Sequence, residues 1–237
     1  MADVPDRDNL ENTLSRALGK LLRVQMGKLL ELMGDPPKLE NVPEEFWLEQ
    51  GVDMDKTIRP FLQKLYLDQA ERAMSEGSIG VDWGMVNERA IEWSRQYSFD
   101  LVRGINATSR QTLRRAVGNY FERSMTIGEL EDMIRGTFGP VRAEMISVTE
   151  VTRAAARGED AIWEELHAQG IDMTPIWNTN NDELVCIICG PLNGKPAAGR
   201  DGGEPYWNHP DKGRVTLPAH PRCRCFESSE LPKNDRQ

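Results

Sequence analysis

The four cysteines of this 237-residue chain restrict its fold more than any other feature. They lie within 40 residues, and the 185 residues before them contain none. Two of them form a C-x-x-C turn, which lets two thiolates bind one tetrahedral Zn²⁺. A second segment, with a histidine and a C-x-C pair, offers three more ligands for the two remaining positions. The sequence therefore predicts a zinc site with five candidate ligands: Cys186, Cys189, His220, Cys223 and Cys225.

A structural role is predicted for this site. The region after residue 170 contains eight of the 14 prolines and can bury little apolar surface, so it needs a cross-link. The acidic start of the chain is not followed by an apolar segment, so no secretory signal is expected. In a reducing compartment, grouped thiols bind metal more often than they form disulfides. Reduced thiols without metal, or a redox pair, are the alternatives.

The motifs of several catalytic sites are absent from the sequence. The chain has no H-E-x-x-H segment, no P-loop and no G-x-S-x-G or G-x-G-x-x-G sequence. A zinc deaminase would need H-x-E before P-C-x-x-C, but Val185 precedes Cys186 here. These absences favour a metal that stabilises the fold.

Apolar residues recur at helical spacing through most of the first 170 residues. The predicted helices span residues 8–33, 43–50, 56–75, 85–103, 108–123, 126–136 and 140–169. A capping box at Thr126–Glu129 starts one of them, and Gly170 follows the last. Short apolar runs at residues 174–177 and 214–217 predict strands.

The predicted fold is mainly α. A helical N-terminal region (residues 1–94) precedes a second domain (residues 95–237), whose helices continue to about residue 170. That domain ends in a small, loop-rich α+β lobe (residues 171–227), held by the Cys/His cluster, and a polar tail.

Charge and hydropathy exclude some classes of protein. With 29 basic and 38 acidic residues, the net charge of −9 argues against a protein that coats DNA over its whole surface. No apolar run approaches the ~20 residues of a membrane span, so no membrane association is expected. Residues 99–124 are locally basic, and Arg110, Arg114 and Arg115 are candidate contacts to nucleic acid or a partner. A solvated helix face is the alternative.

Further polar residues are candidates for the junction between the last helix and the lobe. Glu150 is either solvated or part of this junction, and Arg224 lies between the last two cysteines. Thr179 and Asp182 precede the first cysteine pair and are expected to bond to local backbone in a polar turn. We expect His209 to be a surface residue and His167 to lie at a helix end.

Three segments together resemble one protein family. They are Thr149-Glu150-Val151-Thr152-Arg153, then residues 177–194 with the C-x-x-C pair, and finally Pro218-Ala219-His220-Pro221-Arg222-Cys223-Arg224-Cys225. They are similar to the phage head morphogenesis family, the Mu F-like minor head proteins of tailed phages. The resemblance covers about residues 95–227. The chain departs from the family at residues 147–150, where Ala-Arg-Thr-Glu is typical, and at Leu184-Val185.

The resemblance implies a minor capsid protein that acts in capsid assembly, head maturation, DNA packaging or ejection. The implied partners are portal and capsid or scaffold proteins, with phage DNA and a second copy of the chain as further candidates. The implied location is the inner head or portal vertex of the virion, and the host cytoplasm during assembly. The alternatives are a metal-dependent nuclease or toxin-like enzyme, and a stand-alone nucleic-acid-binding protein.

Overall fold

A computed structural model describes residues 4–77, 80–180, 185–201 and 204–230. These residues form five α-helices: α1 (Arg7–Met33), α2 (Glu44–Gly77), α3 (Trp83–Glu122), α4 (Ile127–Phe138) and α5 (Pro140–Ala168). Five short strands follow: β1 (Thr174–Asn178), β2 (Gly199–Asp201), β3 (Glu204–His209), β4 (Gly213–Val215) and β5 (Phe226–Glu230). The predicted fold class, mainly α with a small α+β lobe, is confirmed. Within the described ranges, no helix has the length and apolar content that a membrane crossing requires.

Two of the helices are longer than predicted. The predicted helices at 43–50 and 56–75 are one helix, α2, and those at 85–103 and 108–123 are one helix, α3. Pro60 lies inside α2 with its side chain exposed, and the buried face continues past it from Met54 to Leu62. In α3 the buried face continues through Ile105, which lies in the predicted gap at residues 104–107.

The predicted start of α4 and the predicted end of α5 are confirmed. The Thr126 side chain accepts a hydrogen bond from the backbone N–H of Glu129, whose carboxylate accepts one from the backbone of Thr126. This is the complete capping box. Helix α5 ends before Gly170, whose φ of 81° is in the left-handed region that favours glycine.

Contacts divide the chain into two compact units, each made of discontinuous segments. The lobe unit contains Met1–Asp8, Leu62–Trp93 and Val148–Gln237, and the helical unit contains Asn9–Phe61 and Ser94–Ser147. In the helical unit, the Arg142 guanidinium is buried and donates to Ser109 Oγ at 2.8 Å and to the Ile105 carbonyl at 2.9 Å. The domain boundary at residue 94 remains a prediction.

The lobe unit is built around α5 and the segments of α2 and α3 that pack on it. Tyr66 and Ala70 of α2, Ala90 of α3 and Ile162 of α5 belong to one buried cluster. Gly158 allows the close approach of α5 to α2, because a Cβ at this position would lie 2.3 Å from the Tyr66 carbonyl oxygen. Backbone contact of this kind requires glycine.

The strands form two small antiparallel sheets. One contains β1 and β5, with Trp177 opposite Glu227, and the other has the order β2-β3-β4. Trp177 and Trp207 come from different sheets, and their rings meet edge to face with centroids 5.1 Å apart. Both rings are fully buried beside three of the cysteines, so the core of this lobe and its thiol cluster are continuous.

Candidate metal centre

Two segments of the lobe bring the five predicted ligands together. Cys186 and Cys189 lie in a turn before a short 3₁₀ helix (Gly190–Leu192), and the other three ligands lie just before β5. In this turn the backbone N–H of Cys189 donates to Cys186 Sγ at 3.4 Å. The C-x-x-C geometry therefore forms locally, as its spacing predicts.

The ligand atoms form two groups of three that share one sulfur. Cys186, Cys189 and His220 form the first group, and Cys189, Cys223 and Cys225 form the second, with the atoms of each group within 4.8 Å of one another. Cys189 Sγ lies 3.8 Å from Cys223 Sγ and 3.2 Å from His220 Nε2. Sulfurs bound tetrahedrally to Zn²⁺ at about 2.3 Å would lie about 3.8 Å apart. The cluster could hold a metal ion, and all four cysteines are free thiols.

The His220 ring is oriented as a metal ligand requires. Its Nδ1 donates to the Pro221 carbonyl oxygen at 2.8 Å, because a carbonyl can only accept. In the neutral ring this leaves Nε2 without a proton, and Nε2 lies 3.0 Å from Cys186 Sγ. A ligand histidine commonly has its second nitrogen fixed by a carbonyl in this way.

The three sulfurs of the second group cannot all ionise together without a cation. Hydrogen bonds from the Cys189 and Cys225 thiols lower the pKa of Cys223 to about 2. The hydrogen bond with Cys223 is the largest cause of the raised pKa of Cys189. For Cys225, the hydrogen bond with Cys189 lowers the pKa, but the bond with Cys223 and burial raise it by more. The net result is a raised pKa of about 12. Three thiolates this close would need a cation such as Zn²⁺ to balance their charge.

Helix α5 contacts the second ligand segment through two threonines one helical turn apart. Thr149 Oγ1 accepts a hydrogen bond of 2.9 Å from the backbone N–H of Arg222, whose φ is 64°. The Thr152 hydroxyl donates to the Cys223 carbonyl at 2.6 Å and accepts from Arg7 Nη1 at 2.8 Å. The backbone of the ligand segment is therefore anchored to the helix.

The other predicted junction residues have different surroundings. Glu150 is buried, with Oε2 3.5 Å from Arg153 Nε, so the solvated alternative is wrong. Arg224 Nη2 lies 3.4 Å from Asp8 Oδ1. Thr179 is buried, and its backbone N–H donates to Asn193 Oδ1 at 2.9 Å. Asp182 lies outside the described residues.

The predicted arginine contacts belong to the helical unit and are not part of the metal centre. Arg110 is paired with Glu44 at 2.5 Å, and its guanidinium carbon lies 4.8 Å from the centre of the Trp47 ring. Arg114 and Arg115 are exposed on α3. The prediction that these three residues contact nucleic acid or a partner stays a prediction.

One histidine lies in different surroundings from those predicted. His209, expected at the surface, is 5% exposed at the end of β3. Its Nδ1 accepts hydrogen bonds from the backbone N–H groups of Asp211 and Lys212, at 3.0 and 3.1 Å. The residue is buried because its ring caps the turn between β3 and β4. His167, at the exposed end of α5, pairs with Asp172 as a helix-end residue can.

A group of buried acids was not predicted at all. Glu159, Asp160 and Glu227 are each at most 6% exposed, and no sequence pattern distinguishes them from surface acids. Glu159 accepts a hydrogen bond from Gln69 at 3.0 Å. Burial, followed by the charges of Asp160 and Glu159, raises the pKa of Glu227 well above its usual value.

Comparisons of the chain with protein-family models, with curated proteins and with solved structures find no match.

Proposed function

We propose that the metal is zinc and that its role is structural. The donor set of thiolates and one imidazole suits Zn²⁺, which prefers four tetrahedral N and S ligands. A catalytic zinc keeps one position open for water or substrate. Here five donors converge on four positions, and three of the sulfurs are buried. This arrangement favours a closed site that stabilises the lobe.

We further propose that the protein is a minor head protein of a tailed phage. One observation supports this most: separate segments of the family resemblance contact one another. Thr149 and Thr152, in the first segment, bond to the backbone of Arg222 and Cys223 in the last. Thr179 bonds to Asn193 within the middle segment. A motif whose parts form one unit is a stronger basis for the resemblance than separate short matches.

In this proposal the zinc lobe is a rigid attachment on α5, and the helices present faces to portal, capsid or scaffold proteins. The protein would take part in assembly, maturation, packaging or ejection as a component of the virion. It would meet its partners in the host cytoplasm as the head assembles. No reaction is needed for this role.

Contact with phage DNA is a second proposal, supported by the exposure of Arg114 and Arg115 on α3. Neutralising both should weaken DNA binding and reduce its salt dependence, because each lost phosphate contact lowers the number of released counterions. Arg103→Ala is the control, since Arg103 is already paired with Asp100 at 3.1 Å. Unchanged affinity in the double variant would contradict DNA contact at this face.

Two measurements test the main proposal. Metal analysis of the purified chain should give one zinc per molecule, and co-expression with the portal protein of the same genome should give a complex. Cys189→Ser should strongly weaken metal binding and weaken the complex, whereas His167→Ala, which changes an exposed histidine outside the cluster, should do neither. A chain with no zinc would overturn the metal assignment. A zinc-loaded chain that forms no complex with portal or capsid proteins would overturn the phage role alone.

A further inference from the structure

A second site in the lobe unit is built around the buried carboxyl group of Glu227. This residue lies on β5, two positions after Cys225, and is 1% exposed. Among the described residues, no group forms a hydrogen bond with either oxygen of this carboxyl group. Buried polar groups of native proteins almost always have a partner, which is either a protein group or an ordered water. The Glu227 carboxyl group therefore indicates a ligand beside it.

The arginines whose charges act on Glu227 bind another buried acid. The positive charges of Arg157 and Arg200 oppose the rise in the pKa of Glu227. Both guanidinium groups, however, pair with Asp160, at 3.5 and 3.6 Å. Asp160 thus takes the donors that could have satisfied the Glu227 carboxyl group directly.

A small cavity adjoins Glu227 in the lobe unit. Its volume is about 10 Å³, and a water molecule needs at least about 10–15 Å³ and two to four polar partners. Four further polar residues line the cavity, each at most 6% exposed: Arg7, Gln69, Thr152 and Glu159. The cavity therefore matches a single water molecule and is too small for an organic ligand.

The polar walls of the cavity favour water over an ion. The Arg7 guanidinium has five N–H donors, one of which donates to the Thr152 hydroxyl. A cation in the cavity would face this guanidinium, and an anion would face the carboxyl groups of Glu159 and Glu227. A water molecule can accept a hydrogen bond from the guanidinium and donate one to a carboxylate, so it suits both kinds of wall.

We propose that this cavity binds one buried water molecule, which bridges the Glu227 carboxyl group to the wall formed by Arg7, Gln69 and Glu159. The water would connect β5, which follows the second ligand segment, to the start of α1 and to α2 and α5 within the lobe unit. This inference does not depend on the phage role or on the identity of the metal.

A high-resolution crystal structure of the zinc-loaded full chain tests the proposal. We expect one density peak in the cavity, within hydrogen-bond distance of a Glu227 carboxyl oxygen and of a polar atom of Arg7, Gln69 or Glu159. An empty cavity, or a Glu227 carboxyl group bonded directly to a protein group, would overturn the proposal. Crystals grown in rubidium bromide distinguish water from an ion, and an anomalous signal of either ion in the cavity would also overturn it.

Substitutions of Glu227 test the site in solution. Relaxation dispersion of the solvent deuterons counts the long-lived internal waters of the zinc-loaded protein. Glu227→Met, which keeps the length of the side chain and removes its polar atoms, should lose one such water. Glu227→Gln is the matched control, since its amide both donates and accepts, and it should keep the wild-type count. Equal counts in the wild type and in Glu227→Met, or the same loss in Glu227→Gln, would overturn the proposal.

Discussion

The hydroxyl group of Thr152 donates a 2.6 Å hydrogen bond to the main-chain carbonyl of Cys223, a candidate metal ligand 71 residues later in the chain. The same oxygen accepts a hydrogen bond from Arg7. One buried side chain thus connects the first helix, the last helix and the ligand segment within the lobe unit. The position of the Cys223 sulfur therefore depends on the helical part of this unit as well as on the metal.

Thr152→Val should show this dependence. The substitution keeps the shape of the side chain but leaves the Cys223 carbonyl and the Arg7 guanidinium without this partner. We expect the free energy of unfolding to fall by about 1–3 kcal/mol, the usual cost of a buried group that loses its hydrogen bond. Urea unfolding of the zinc-loaded protein, followed by tryptophan fluorescence, measures it. Thr152→Ser retains the hydroxyl, so its free energy of unfolding should fall by less. Equal losses of stability in both variants would contradict the anchoring role.

Loss of Cys189 should affect metal binding more than loss of any other single ligand, because Cys189 belongs to both groups of donors. Zinc affinity, measured by competition with a chromophoric chelator, should fall most in Cys189→Ser and less in Cys186→Ser or Cys225→Ser. Removal of zinc from the wild-type chain should lower its melting temperature, since structural zinc binding adds to the folding free energy. If the zinc affinity of Cys225→Ser fell as far as that of Cys189→Ser, the place of Cys189 in both groups of donors would not explain its effect on metal binding.

Gly158→Ala should strongly destabilise the lobe unit. The added Cβ would lie 2.3 Å from the Tyr66 carbonyl oxygen, and backbone cannot move aside as a flexible side chain can. We expect a loss of about 1–3 kcal/mol, typical of overpacking, in the free energy of unfolding. Gly118→Ala is the control, because a Cβ there meets nothing within 4 Å inside α3. That variant should be more stable by about 0.5–1 kcal/mol, the helix-propensity difference. Similar stability of the two variants would contradict close helix packing at Gly158.

Asp160 should make stability depend on pH. Burial raises its pKa from 3.8 to about 8, although Arg157 and Arg200 oppose the shift. The folded state therefore holds a proton that the unfolded state releases above about pH 4, so this group's contribution to stability declines as pH rises from about 4 to 8. In Asp160→Asn this decline should disappear. The free energy of unfolding of both proteins, measured at each pH with the metal site saturated with zinc, gives the difference. Parallel pH profiles would contradict the raised pKa.

The parts of the fold that depend on local sequence could be predicted. The capping box at Thr126, the helix end at Gly170 and the C-x-x-C turn each depend on residues close together in the chain, where spacing determines geometry. The convergence of the two ligand segments was also predictable, because four cysteines that lie close together in the sequence have few other roles than ligands of one shared site.

The lengths of α2 and α3 were not predictable from apolar spacing. The gap predicted within α3, at residues 104–107, contains Gly104 and Asn106, which are weak helix formers. In the structure Ile105 is buried and Asn106 Nδ2 donates to the Trp47 carbonyl at 3.3 Å, so the helix continues through tertiary contacts that the apolar spacing does not display. His209 and Glu227 were missed for a related reason, because their burial depends on tertiary partners that are distant in sequence or on backbone groups that the sequence does not display.

The pairing of β1 with β5 places Thr174 opposite Glu230. The segment between these two residues, which includes both ligand segments, therefore begins and ends at adjacent positions near the end of α5. A module with adjoining ends can be lengthened or shortened internally without displacing the structure that carries it, because loop closure costs little for each added residue. Such a module can also be transplanted as a whole, provided that the recipient helix supplies threonines equivalent to Thr149 and Thr152.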